Sequence, residues 1–182
     1  MRSPLITMIS ILSSALPIAG QSADAAPPSE SGAAFVAGLG FGGGTLGMAG
    51  LGYVGASTRL GDFLVRGSGT DEFNVLEDSD ASSDVALLYG LRATTAGGVW
   101  IRAAAGPSMA RTVRYGPRTV SQTDWSYGSY ADREETRTLG LALQLDIAWG
   151  RRVGVGLALL GDLNGERSFV LAAVSGHLRV AG

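Results

Sequence analysis

The sequence predicts an all-β chain, an eight-stranded antiparallel up-and-down transmembrane β-barrel with a glycine-rich, small and polar interior. Three observations carry that prediction. Apolar residues alternate with small or polar ones along most of the chain beyond residue 33, the period of a strand with two unlike faces. Glycine supplies 28 of 182 residues, about twice its usual share, while charged residues are only 16%. The connectors between the alternating runs are short at every even position and longest at two odd ones.

Composition also excludes. With no cysteine there is no disulfide framework, thiolate metal site or cysteine nucleophile. All 14 basic residues are arginine and the net charge is −2, which gives no general attraction to nucleic acid. At 46% apolar residues the chain is too hydrophobic to stay unfolded.

Residues 1–25 read as a cleavable signal peptide. Arg2 is its positive end, and Leu5 to Ile18 its apolar stretch, too short to span a bilayer as a helix. Pro17 and Gly20 break that stretch, and Ala23-Asp24-Ala25 has the small-x-small form of a cleavage site. Residues 26–33, with Pro27 and Pro28, read as a flexible lead-in, and 34–182 as the barrel.

Strands are expected at 34–44, 48–58, 62–71, 84–93, 98–113, 136–149, 151–163 and 168–180. In the first, Phe35, Ala37, Leu39 and Phe41 alternate with Val36, Gly38, Gly40 and Gly42. In the second, Leu51 and Tyr53 form the apolar face against Gly50 and Gly52. The third sets Phe63 and Val65 against Leu64 and Arg66. The fourth sets Val85, Leu87, Tyr89 and Leu91 against Asp84, Ala86, Leu88, Gly90 and Arg92. In the fifth, Val99, Ile101, Ala103 and Ala105 oppose Trp100, Arg102, Ala104 and Gly106.

The sixth strand alternates most cleanly. Leu139, Leu141, Leu143, Leu145, Ile147 and Trp149 share one face; Thr138, Gly140, Ala142, Gln144, Asp146 and Ala148 share the other. The seventh sets Val153, Val155, Leu157 and Leu159 against Arg152, Gly154, Gly156, Ala158 and Asp162. In the eighth, Val170, Ala172, Val174, Leu178 and Val180 oppose Ala173, Ser175, His177 and Arg179, with Phe169 and Leu171 in the polar register. The connectors are Thr45–Gly47, Arg59–Gly61, Glu72–Ser83, Thr94–Gly97, Arg114–Glu135, Gly150 and Asn164–Arg167.

A soluble β-sandwich or lipocalin-like barrel also alternates, and is the competing fold. Its water-facing side would carry lysine, glutamate and threonine, whereas this polar face is glycine, alanine and isolated ions. Small residues suit the crowded inside of an eight-stranded barrel, which leaves no room for a large pore. Arg66, Arg92, Arg102, Arg152 and Arg179 are then expected to face inward, opposite Asp84, Asp146 and Asp162.

Taken together, the signal-like start, the eight alternating runs, the connector parity and the glycine-rich first hairpin resemble small eight-stranded bacterial outer-membrane β-barrel proteins. The last hairpin, Gly161 to Val180, with Leu163-Asn164-Gly165-Glu166-Arg167-Ser168-Phe169, is similar to a subgroup of that family. The resemblance implies an outer-membrane location and contact with outer-membrane lipid and lipopolysaccharide. It implies help from the barrel-insertion machinery during biogenesis, and a non-enzymatic role in envelope structure or surface interaction. Barrels of this class end in Phe or Trp; here the last residues are Leu178-Arg179-Val180-Ala181-Gly182.

Few residues suggest chemistry, and no catalytic, cofactor or metal residue is assigned. Ser175 and His177 lie two apart on one face and resemble the serine and histidine of lipid A deacylases, although in reversed order. A lipid-modifying enzyme built on them, with Asp146 or Asp162 to orient the histidine, is the alternative function. Gly38, Gly40, Gly42, Gly43 and Gly44 lack the following helix that a dinucleotide fingerprint requires, so close packing explains them. Asp71, Glu72, Glu77, Asp78, Asp80 and Asp84 crowd one connector, as a weak divalent-cation site or a solvated acidic loop. The 114–135 loop holds Arg114, Tyr115, Arg118, Trp125, Tyr127, Tyr130 and Arg133, a partner-binding composition or an aromatic girdle.

Overall fold

The computed structural model describes residues 33–45, 47–71, 80–95, 97–116, 119–123, 126–130 and 132–181. The signal-peptide region 1–25 and most of the lead-in lie outside them. The strands are β1 (Ala34–Gly44), β2 (Gly47–Ser57), β3 (Asp62–Asp71), β4 (Ala81–Thr94) and β5 (Val99–Tyr115). They continue as β6 (Thr119–Thr123), β7 (Ser126–Tyr130), β8 (Arg133–Trp149), β9 (Val153–Asn164) and β10 (Phe169–Ala181).

Eight of these strands close into a barrel in the order β1-β10-β9-β8-β5-β4-β3-β2. Every neighbouring pair is antiparallel, and β1 closes the ring against β10, from Ala34 opposite Ala181 to Gly44 opposite Leu171. The predicted fold class holds, and the connector parity with it. Connectors 58–61, 95–98 and 150–152 form one end of the barrel, together with both strand termini (the turn end). Connectors 45–46, 72–80, 116–132 and 165–168 form the other (the loop end).

The turn end is tight because glycines hold it. Gly150 has φ +112°, a backbone state that other residues rarely adopt, and a Cβ there would lie 2.3 Å from the Val153 carbonyl oxygen. The chain therefore swings through 150–152, and Arg151 and Arg152 stand exposed on the turn. Arg152 was expected inside the barrel; it lies in the turn before β9 begins at Val153, and so outside the strand alternation.

The faces follow the alternation, with one reversal. Phe41 is 76% exposed and Leu139 81%, and the predicted apolar faces of β1, β3, β4, β5, β8, β9 and β10 point outward. On β2, Leu51 and Tyr53 point inward and are buried, while Met48 and Val54 face out. Glycine can stand on either face, so Gly50 and Gly52 could not tell inside from outside. Inside, Gly38 lies opposite Tyr53, and a Cβ there would lie 2.4 Å from the ring. The missing side chain is the room the tyrosine occupies.

The interior is more apolar than predicted. Val36, Leu51, Leu64, Leu88, Leu160, Phe169 and Leu171 form a buried cluster with Tyr53 and several alanines. Phe169 and Leu171 thus point inward, in the polar register where their positions on the strand put them.

The connector expected at 114–135 is largely strand. β5 and β8 pair from Val99 opposite Trp149 to Tyr115 opposite Arg133. At 17 residues each they exceed the about 9–11 residues that cross a bilayer. β6 and β7 form a separate two-stranded hairpin beyond them.

Candidate functional site

Strand alternation brings the ions of distant strands together inside the barrel. Near the turn end, Arg102 and Asp146 lie opposite each other on β5 and β8, with Nη2 2.8 Å from Oδ2. Asp62 on β3 approaches the same guanidinium at 3.5 Å. Gln144 donates its amide to both oxygens of Asp146, at 2.9 and 3.1 Å. The Arg102 guanidinium also lies over the Tyr53 ring, 4.5 Å from its centroid, and 5.4 Å from that of Trp100. Trp100 in turn meets His177 edge-on at 4.8 Å. Five strands therefore converge on one arginine or its aromatic neighbours.

A second layer sits nearer the loop end. Arg66 on β3 donates to Asp84 on β4, which also accepts from Ser68. The other end of the Arg66 guanidinium donates to the Leu143 carbonyl on β8, across the lumen, at 3.0 Å. Arg66, Asp84, Arg102 and Asp146 are all essentially buried. Buried ions persist only with such partners, because desolvation costs several kcal/mol per ion. Asp162, also inward, accepts from Asn164 at 2.8 Å. Arg92 and Arg179 are half-buried, and Arg92 donates to Ser57 at 2.8 Å.

The mouth at the loop end is tied across. Arg167, in the β9–β10 turn, reaches Asp80 beside β4 at 2.7 Å. Asp80 accepts from the Tyr115 amide as well. The turn is shaped by Asn164, whose side-chain oxygen accepts from the amides of Glu166 and Arg167.

Ser175 and His177 lie in the lumen: the serine is buried and the histidine half-buried behind Trp100. Residues two apart on a strand are separated by about 6.6 Å. No hydrogen bond joins His177 to Ser175 or to a carboxylate among the described residues. Asp146 is committed to Arg102 and Gln144, and Asp162 to Asn164. The relay needed by a serine nucleophile is not assembled, and the pair faces the lumen, away from the outer surface of the barrel.

Of the acidic connector, Glu72, Glu77 and Asp78 lie outside the described residues. Asp84 points inward to Arg66 and Asp80 is held by Arg167, so these two do not face a common ion. No group of three metal-ligating side chains occurs among the described residues. In the long connector, the side chains of Arg118, Trp125, Tyr127 and Tyr130 lie outside the described residues, while Tyr115 is half-buried.

The extension of β5 and β8 carries a cluster that inspection of the sequence missed. Glu135 lies between Arg111 at 2.7 Å, Arg137 at 3.2 Å and Arg133 at 3.4 Å. All four are on the outward face, because they continue the odd-numbered register of Met109 and Leu139. Following the period of two beyond the last leucine would have found them.

No protein-family model and no curated protein matches the chain. Among solved structures, neisserial surface protein A is similar with a TM-score of 0.54 and 13% identity, over 84% of this chain and 98% of that one. The N-terminal β-barrel domain of Pseudomonas aeruginosa OprF has a TM-score of 0.46 and 14% identity, over 82% of this chain and 98% of that one. Ail, the attachment invasion locus protein of Yersinia pestis, has a TM-score of 0.48 and 10% identity, over 82% of this chain and 99% of that one. The first likeness shows a shared barrel fold.

Proposed function

We propose that the chain is an integral outer-membrane β-barrel protein without a catalytic role, acting through the strands and loops that rise from its loop end. The observation that carries this reading is the inverted distribution of polarity. Leu39, Phe41, Leu87, Leu139, Val153 and Val174 are exposed around the barrel, while Arg66, Arg102, Asp62, Asp84, Asp146 and Asp162 are buried inside. In water, a closed ring of exposed apolar side chains would be far larger than the few hundred Å² that soluble monomers tolerate. In a bilayer that ring is the stable arrangement, and a closed barrel leaves no edge unpaired. A lipocalin-like soluble barrel needs the opposite distribution.

The lumen argues against a transport pore, because it is crossed by Tyr53, Arg102 and the bridge from Arg66 to Leu143. The features that remain outside are the β5–β8 extension and the hairpin beyond it. A protein of similar fold is named a surface protein, which supports a surface role for this end. The test is fractionation followed by a gel with and without boiling. An outer-membrane band whose mobility changes on boiling is expected; a soluble periplasmic protein with no heat-dependent shift would overturn the reading.

A further inference from the structure

We propose that Arg111, Arg133 and Arg137 form a binding site for the phosphate groups of an outer-leaflet lipid. The inference rests on the membrane reading above and adds a ligand to it. Arg111 and Arg137 are paired directly, one step beyond the odd-numbered pair of Met109 and Leu139. Met109 and Leu139 are exposed apolar residues on the same outward face. The arginines therefore stand where hydrocarbon gives way to headgroups, facing the lipid and not the lumen.

Three guanidinium groups surround a single carboxylate, leaving an excess of two positive charges on this face. Glu135 is the least exposed of the four, with 30% of its side chain accessible. Arg111, Arg133 and Arg137 are 45%, 52% and 67% exposed. Each guanidinium has five N–H donors, so contact with Glu135 leaves donors free to point outward. Glu135 is a positioning residue: it gathers the three groups, and Val113 is buried beneath them. Planar donor forks suit phosphate better than a point charge does.

The ladder between β8 and β9 ends at Gly140 opposite Asn164, while β4 still pairs with β5 as far as Ala81 opposite Val113, so the cluster stands on a β4–β5–β8 extension that β9 does not flank. A bulky headgroup has access there from the side of β9.

The test uses the full barrel in phosphatidylcholine nanodiscs doped with lipid A, or with lipid A stripped of its phosphates. After extraction, the lipid retained per barrel is counted by mass spectrometry. Retention of phosphorylated over dephosphorylated lipid A is expected. The double variant Arg133→Ala/Arg137→Ala should lower it about tenfold, the scale of losing charge-assisted contacts. Arg114→Ala, on the other face of β5, should leave it unchanged. Equal retention of both lipids by the wild-type barrel overturns the proposal, and needs no variant to fold. Displacement of the lipid by millimolar inorganic phosphate also overturns it, since the site would then serve the free anion. The same samples are run with and without boiling. A folded, inserted barrel without phosphate preference rejects the ligand alone; failure to insert rejects the membrane reading beneath it.

Discussion

Arg66 and Leu143, 77 residues apart, meet across the lumen: the guanidinium on β3 donates to the leucine's carbonyl oxygen on β8 at 3.0 Å. The same guanidinium is paired with Asp84. One side chain thus ties together three strands, β3, β4 and β8, and blocks the channel they enclose.

Arg66→Ala should destabilise the refolded barrel by about 3–5 kcal/mol, because Asp84 is left as a buried charge without its main partner. Replacing both, as Arg66→Met with Asp84→Leu, should restore most of the loss. Urea unfolding of the three barrels in lipid vesicles measures it. A single variant as stable as the wild type would contradict the buried pairing.

Charge on the outward face should be penalised by depth. Leu143→Arg, near the middle of β8, should cost about 2–4 kcal/mol, and Leu139→Arg, at the edge of the apolar band, about 0–1. Gln144→Ala removes both amide bonds to Asp146 and should cost about 1.5–3 kcal/mol, the range for bonds to a charged group. The same unfolding assay checks the order; a greater loss at 139 than at 143 would invert the assigned depth.

Glu135 lies above the apolar band, and its hydrogen bond from Arg111, then that from Arg137, lowers its pKa from 4.5 to about 2. A carboxylate whose folded pKa is lowered stabilises the fold fully above its unfolded value and loses that contribution as pH falls. The window is therefore from about pH 4.5 down to about 2. Exposure makes the effect sensitive to salt. A carbon-13 titration of the Glu135 carboxyl should show the low midpoint, and Arg111→Ala should move it back toward 4.5. A midpoint of 4.5 in the wild type would contradict the cluster.

The segment beyond β5 should be dispensable for closure, because the barrel ring omits β6 and β7. Replacing 117–131 by Asn-Gly should preserve the heat-dependent gel shift. Protease added to intact cells should cut the native chain in this segment; cutting only after the membrane is ruptured would invert the topology.

Much of the ring could be read from the sequence because a strand with unlike faces writes its structure in a period of two. β8 shows why: six large apolar residues alternate with Thr138, Gly140, Ala142, Gln144, Asp146 and Ala148. The hairpin was hidden for the opposite reason. Thr119–Thr123 reads TVSQT and Ser126–Tyr130 reads SYGSY, with little apolar contrast between faces, so only their mutual pairing marks them as strands. The inward turn of Leu51 and Tyr53 was hidden because their alternating neighbours are glycines. Parity also says which face a residue takes, never which strand lies opposite. The meeting of Arg102 with Tyr53 and Asp62, and that of Arg66 with Leu143, depend on closure and stagger of the ring. The arginine cluster is hard to read because beyond Leu139 the outward register continues in charged residues, Arg137, Glu135 and Arg133, with no apolar contrast to mark the face.

Leu87 and Leu88 test the central claim most directly. These neighbours on β4 have the same side chain, yet Leu87 is 62% exposed and Leu88 is 3%. The chain has no cysteine, so Leu87→Cys and Leu88→Cys each carry a single label, attached in urea before refolding into vesicles. The lipid tails carry a bromine quencher. Strong quenching at position 87 and little at 88 is the predicted result. A label at 87 that the brominated lipid does not quench, in a barrel that has folded, would contradict an outward face bathed in hydrocarbon.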